Sequence, residues 1–295
     1  MMKITLGVLI LAALFSCGGG GQQAKAPAPV SGWAAVNGTR LYYEVSGQGR
    51  PLVLIHGGLV DQRMWDDQFE TLARDFRVVR YDIRGYEKSD KATVPFSHIE
   101  DLRQLLLFLG VSRASVVGLS LGGQIAIDFA LEHPDMVEAL IPVSSSMTGF
   151  PFNLSDDFVA QYNAVFATAK EKGVDAAVEA LLKLSFFIPY QPNEEIRKRM
   201  IPMLKENFAA WTSAANTELY LWPEPPAYQR LDQIKTPTLI IVGDKDVSAI
   251  LDAAEDMAKR IKAARKVVIR DAAHHLSMEQ PAEFNRVLLE FLKNI

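Results

Sequence analysis

The stretch Ala114 to Glu132, ASVVGLSLGGQIAIDFALE, decides the reading of this chain. Ala114 to Gly118 is a short run of small and apolar residues, as a buried parallel strand is, and Gly122 to Glu132 spaces its apolar residues as a helix does. Between them, Gly118, Leu119, Ser120, Leu121 and Gly122 spell G-x-S-x-G. Alone, that pattern is a frequent glycine-rich turn whose serine caps a helix. Placed where a strand passes into a helix, it reads as a nucleophile elbow. So tight a turn forces the serine into a strained backbone conformation, and neighbours without Cβ atoms let strand and helix approach. Gly123 adds room, and Ser120 is the candidate nucleophile.

Upstream, Trp33 to Val45 alternates around Asn37-Gly38, a pair that tolerates positive φ and predicts a hairpin. Leu52 to Ile55 is a wholly apolar run ending at His56, Gly57 and Gly58. A polar helical pattern, Asp66 to Asp75, precedes a second apolar run, Phe76 to Tyr81, and His98 to Leu109 has helical spacing. Downstream, Val137 to Val143 reads as a strand. Strands alternating with helices predict a mostly parallel sheet covered on both faces. From Gly149 to Pro226 the rhythm changes: Val159 to Ala169, Val174 to Leu184, Glu194 to Leu204 and Phe208 to Leu219 all look helical. The sheet resumes at Thr238 to Val242 and Lys266 to Ile269, and the last helix runs from Pro281 to Leu292. The expected fold class is therefore α/β, with a core over 33–148 and 227–295 and an inserted helical cap over 149–226.

A serine hydroxyl is a poor nucleophile near neutrality, so it needs a base, and the base needs a carboxylate to fix its tautomer. After the penultimate strand come Gly243, Asp244, Lys245 and Asp246; after the last come Ala272, Ala273, His274 and His275. Both groups fall at strand C-termini, where open α/β sheets place their crevice. On this ground alone either aspartate and either histidine is a candidate.

From Trp33 to its end the chain resembles the α/β-hydrolase superfamily, and within it the small esterases, enol-lactonases and C–C hydrolases. Besides the elbow, the resemblance rests on His56-Gly57-Gly58, on Tyr81 to Gly85 with Ser89 and Asp90, on the Gly243 to Asp246 turn, and on His274 with Glu279 and Pro281. It implies Asp246 as the acid and His274, five before Glu279, as the base. It assigns the oxyanion-binding N–H groups to Gly58 and Leu121, and makes His56 and Arg84 supports of their loops. No cofactor and no metal are implied. Glu87 and Ala273 depart from the pattern, each standing where the family commonly has glycine, and both put the local loop shape in question.

Ser120 argues against haloalkane dehalogenases and epoxide hydrolases, which carry a carboxylate at the elbow. The cap is rich in aromatics, among them Phe150, Phe152, Phe158, Tyr162, Phe186, Phe187, Tyr190, Trp211 and Trp222. Most should pack the cap on the sheet, and a minority should line an apolar pocket. A carboxylic ester, lactone or thioester of small to medium apolar character is the expected substrate. The alternatives are a C–C hydrolase or enol-lactonase, and a catalytically inactive ligand-binding or interaction protein.

The chain has 49% hydrophobic residues and a net charge of -4, enough apolar material for one large core and no basic balance that implies a nucleic acid partner. Lys3 and the apolar run Ile4 to Phe15 read as a secretory signal over 1–16, too short to span a bilayer. Leu14 to Cys17 resembles the lipobox of bacterial lipoproteins, and Cys17 is the only cysteine. The glycine-, alanine- and proline-rich residues 17–32 would then be an anchor and tether, and the body would be exported and held on a bacterial membrane by acyl chains. Gly18 offers no acidic retention signal. Mass spectrometry of the N-terminal peptide from bacterial membranes should find an acylated Cys17, and an unmodified peptide with another start would overturn the anchor.

Overall fold

The computed structural model describes residues 28–184, 186, 193–212 and 219–295. The signal segment, Cys17, most of the tether, Phe187, Tyr190 and the side chain of Trp211 lie outside the described residues.

The fold is of the α/β class. Its strands are β1 (Val30–Val36), β2 (Thr39–Ser46), β3 (Pro51–Ile55), β4 (Arg77–Tyr81), β5 (Ala114–Leu119), β6 (Val137–Val143), β7 (Thr238–Gly243) and β8 (Ala264–Ile269). They form one sheet in the order β1-β2-β4-β3-β5-β6-β7-β8. β2 runs antiparallel to both of its neighbours, β1 and β4, and every other pairing is parallel. Asn37 and Gly38 take positive φ at the predicted hairpin, so Val36 faces Thr39 across the turn. Strand pairing begins at Val30, inside the segment read as tether, because Val30 to Gly32 find partners in Tyr43 to Val45.

The helices are α1 (Asp66–Leu72), α2 (His98–Phe108), α3 (Leu121–Glu132), α4 (Asp156–Lys172), α5 (Val174–Leu181), α6 (Glu194–Thr212), α7 (Ser248–Arg260), α8 (Leu276–Glu279) and α9 (Pro281–Lys293). Alternation along the strands divides the core in two. On one face Leu52 and Leu54 meet Phe69 and Leu72 of α1 and Phe284 and Leu288 of α9; on the other, Val53 and Ile55 meet Leu102 of α2, Ile125 and Phe129 of α3, and Ile250 and Met257 of α7. Fully burying such a side chain is worth ~1.5–3 kcal/mol, and the two-sided cover makes every residue of β5 buried.

The cap elements α4, α5 and α6 join the first of these clusters through Val165, Val178, Met200, Leu204 and Phe208. The separate helices expected over Glu194 to Leu204 and from Phe208 are one helix, α6, which passes through Pro202 without a break; Leu219 is not helical. The missing signal was a turn residue between them, since Lys205, Glu206 and Asn207 continue the helix.

Chain order places the crevice. After β3 the sheet grows one way, to β4, and then the other, to β5. Ligand sites of open α/β sheets form at such a reversal, where the loops leaving two neighbouring strands diverge. Here those loops are Gly57 to Leu59 and the turn at Ser120.

Glu87 and Ala273, the two departures from the resemblance, differ in their backbones. Glu87 has φ 35°, in the region glycine favours, whereas Ala273 is not among the positive-φ residues. Alanine therefore replaces glycine at 273 without strain, while Glu87 carries it. Left-handed backbone costs an ordinary residue roughly 1–2 kcal/mol, part of which glycine gives back in the unfolded chain. Glu87→Gly should accordingly stabilise the protein by about 1 kcal/mol and raise Tm by roughly 2–4 °C in a thermal melt.

Candidate active site

Ser120 joins β5 to α3 with φ 53° and ψ -112°. Its strain is held by main-chain bonds on both sides: its N–H donates to Val143 O at 2.9 Å, and its carbonyl accepts from Gln124 N at 3.0 Å and from Ser145 Oγ at 2.9 Å. The glycines are obligatory. A Cβ on Gly118 would lie 2.0 Å from Gly122 O, one on Gly122 would lie 2.4 Å from Ile55 O, and one on Gly123 would lie 2.4 Å from Ser145. Real Cβ atoms do not come so near, so β5, α3 and the end of β3 meet as bare backbone, and the Ser145 side chain closes on Gly123.

The turn after β7 and the loop after β8 touch in the same way: a Cβ on Gly243 would stand 2.3 Å from Ala272 O. That contact brings His274 over Asp246. Nδ1 of His274 lies 3.1 Å from both Asp246 carboxylate oxygens, and Asp246 Oδ1 also accepts the N–H of Val247 at 2.8 Å. Both residues are buried. Asp244 is more exposed and turns back onto the loop, accepting from Ala272 N at 3.4 Å. Of the paired candidates, then, Asp246 and His274 are the two in contact. His275 is buried beside them and hydrogen-bonds the Phe186 backbone; burial, and then the neighbouring His274, pushes its pKa down to about 3.

Glu279 explains the spacing in the His274–Glu279 motif. Its carboxylate accepts Ala273 N at 2.8 Å and His275 N at 3.0 Å, gripping the main chain on either side of His274. Phe186 of the cap sets an edge against the His274 ring, centroids 4.6 Å apart and planes at 90°.

The loop after β3 is fixed by His56. Its Nδ1 lies 2.7 Å from Gly57 O and its Nε2 accepts the N–H of Ile83 at 2.9 Å, so the ring is the neutral Nδ1–H tautomer. Full burial agrees, pushing its pKa down to about 4. Arg84 holds the next loop by a two-pronged bond to buried Asp101 and a bond to Asn37 O at 2.8 Å.

Ser120, His274, Gly58 and Leu121 line one cavity of about 490 Å³, whose other walls include Leu59, Leu154, Phe158, Tyr162 and Phe186. Leu121 opens α3, where amides have no partner inside the helix. An accessible hydroxyl, an imidazole steadied by a carboxylate, and backbone amides around an apolar chamber together form an arrangement able to transfer an acyl group.

One residue of the site escaped the sequence reading. Asn207 of α6 is fully buried, donates to Asp61 Oδ2 at 2.9 Å and accepts the N–H of Glu87 at 2.8 Å. It thereby ties the cap to the loops after β3 and β4. Arg63 completes the knot, bonded to Asp61 and to Glu206. The signal was there: a lone amide between Met203, Leu204 and Phe208 on an apolar helix face.

The sequence profile described as "Alpha/beta hydrolase family" matches residues 52–287. The chain is 28% identical to a pimeloyl-[acyl-carrier protein] methyl ester esterase of Vibrio atlanticus, over 85% of this chain and 97% of that one. It is 25% identical to a 2-hydroxy-6-oxo-6-phenylhexa-2,4-dienoate hydrolase of Comamonas testosteroni, over 86% and 91%. Among solved structures, the enol-lactonase from Burkholderia xenovorans superposes with a TM-score of 0.72 at 25% identity, covering 89% of this chain and 100% of that one.

The two aspartates can be told apart by activity. Asp246→Asn should lower kcat by about 10³–10⁴-fold by stabilising the wrong imidazole tautomer, whereas Asp244→Asn should stay within a few-fold of wild type, both read by steady-state hydrolysis of an activated ester.

Proposed function

Because the chain belongs to the alpha/beta hydrolase family, we propose that it is a serine hydrolase cleaving a carboxylic ester of small to medium apolar character through an acyl-enzyme on Ser120. The observation that carries this reading is the shared cavity: Ser120 at a strained elbow, His274 clamped to Asp246, and Gly58 and Leu121, whose amides are the oxyanion candidates, all border one apolar chamber. In the first half-reaction His274 Nε2 takes the Ser120 proton as Oγ bonds to the ester carbonyl carbon. Asp246 keeps the other proton on Nδ1 and stabilises the imidazolium. The carbonyl oxygen becomes an oxyanion facing the two amides; such a donor is commonly worth 10²–10³ in rate. The bond to the alcohol oxygen then breaks, and His274 returns the proton to it. In the second half-reaction water repeats the attack and the acid leaves.

The names of the relatives span methyl ester, enol-lactone and C–C bond cleavage, and the same chain of groups serves the lactone and C–C alternatives. An ester is preferred because the chamber walls are dominated by Leu59, Leu154, Phe158 and Phe186, which suit an acyl chain. In this reading the body works at a bacterial membrane, tethered through Cys17.

A fluorophosphonate probe should label the wild-type protein and leave Ser120→Ala unlabelled; no labelling of wild type beside a labelled known esterase would overturn the proposal. On a series of p-nitrophenyl esters, kcat/KM should rise by up to about 4-fold per methylene, the worth of one buried CH₂, and then level off once the chamber is full.

A further inference from the structure

The chamber holding Ser120 has a neighbour. A second cavity of about 500 Å³ lies between the loop after β6 and the segment that returns from the cap. Gln124, four residues after Ser120 on α3, borders both chambers. Phe152 of the second stacks on Phe186 of the first, with centroids 6.5 Å apart. The partition between them is therefore an amide side chain and a pair of rings. An ester has two arms, joined at the carbon that Ser120 would attack, and the chambers offer one space for each.

The second chamber differs in chemistry. Phe150, Phe152 and Trp222 supply its aromatic surface, and among the described residues Glu224 is its only charged lining residue. The other polar groups are engaged: Thr148 donates to Asp128 at 2.9 Å and accepts from Ala227 N at 2.8 Å, and Ser146 accepts from Gln124 at 3.2 Å. Among the described residues no lysine or arginine lines it. Aromatic faces carry negative charge density that attracts organic cations, and a carboxylate beside them adds to that field. The same surroundings repel a phosphate or carboxylate.

We propose that this chamber is the subsite for the alcohol arm of the ester, and that it selects an alcohol bearing a quaternary or alkylated ammonium group. The proposal rests on the ester-hydrolase reading of Ser120. Its rim fits a leaving alcohol: Phe152 is 37% exposed and Trp222 41%, and Glu224 is exposed too, so the chamber opens to water. The released alcohol can depart there before water attacks the acyl-enzyme.

Two esters of one acid test the idea, butyrylcholine and 3,3-dimethylbutyl butyrate, which match in shape and differ in the charge at one atom. In wild type, kcat/KM should favour the choline ester by roughly 5- to 30-fold, the range of a partly desolvated cation–π contact. That ratio should fall towards one in Glu224→Gln and in Trp222→Leu. Being measured within one preparation, it does not depend on the fraction folded. Equal rates on both esters in wild type, or a ratio that neither substitution lowers, would overturn the subsite. Calorimetry with choline and 3,3-dimethylbutanol on the Ser120→Ala protein separates this proposal from the one beneath it. Preferential choline binding with neither turnover of either ester nor fluorophosphonate labelling of wild type would leave a cation site in this chamber and overturn the hydrolase reading, and with it the alcohol-arm role. Hydrolysis of both esters without any choline preference would overturn the subsite alone.

Discussion

Ser120 stands at a junction where the ends of β3 and β5 and the first turn of α3 touch as bare backbone, with the Ser145 side chain of the loop after β6 closed in on Gly123. Contact at that range leaves no space for a side chain at Gly118, Gly122 or Gly123, and it forces the one residue that must project, the serine, into positive φ. Strain of this kind, of order 1–3 kcal/mol, persists only where surrounding structure over-determines it. Here the over-determination comes from the sheet: β5 is buried along its whole length and cannot yield, and Ser120 is bonded through its N–H to the end of β6 and through its C=O to α3 and the loop after β6. The projecting serine is thus a by-product of packing a central strand against its own helix as tightly as main chain allows.

The second half of the site obeys the same rule at the sheet's far edge. Gly243 lets the turn after β7 lie on the loop after β8, and Glu279 pins that loop by its amides, so that the His274 ring inherits its position from main-chain contacts. Electrostatics follow from these placements. His56 and His275 are buried and held neutral by that burial; both do structural work on the loops around the cavity. His274 differs from them in having a carboxylate on one nitrogen and the cavity on the other side.

Much of this architecture was legible because period and punctuation coincide. Alternation around Asn37-Gly38, apolar runs ending in glycine or aspartate, and helices of regular spacing mark the core elements to within a few residues. The elbow is legible because its chemistry demands glycine at fixed offsets. The cap was less so. Its helices present apolar stripes that say they pack, but no turn residue marks where one ends, and α6 runs on past the expected break. Asn207 stayed hidden for a related reason: on a helix an isolated amide reads as a surface residue until the opposing loops are known. Choosing Asp246 over Asp244 needed a family resemblance, since both sit in the same turn and only three-dimensional contact separates them.

Asn207 gives the cap a single fully buried polar attachment among the described residues of α6, and it fastens at once to the loop after β3 and to the loop after β4. Exchange of caps between relatives of this fold is therefore not modular here. A graft that fills the same volume but lacks an amide at this point would leave Asp61 and the Glu87 N–H without their shared partner, in loops that flank the cavity. The hydrogen-bonding inventory at the seam, more than the shape of the lid, limits which caps this core can wear.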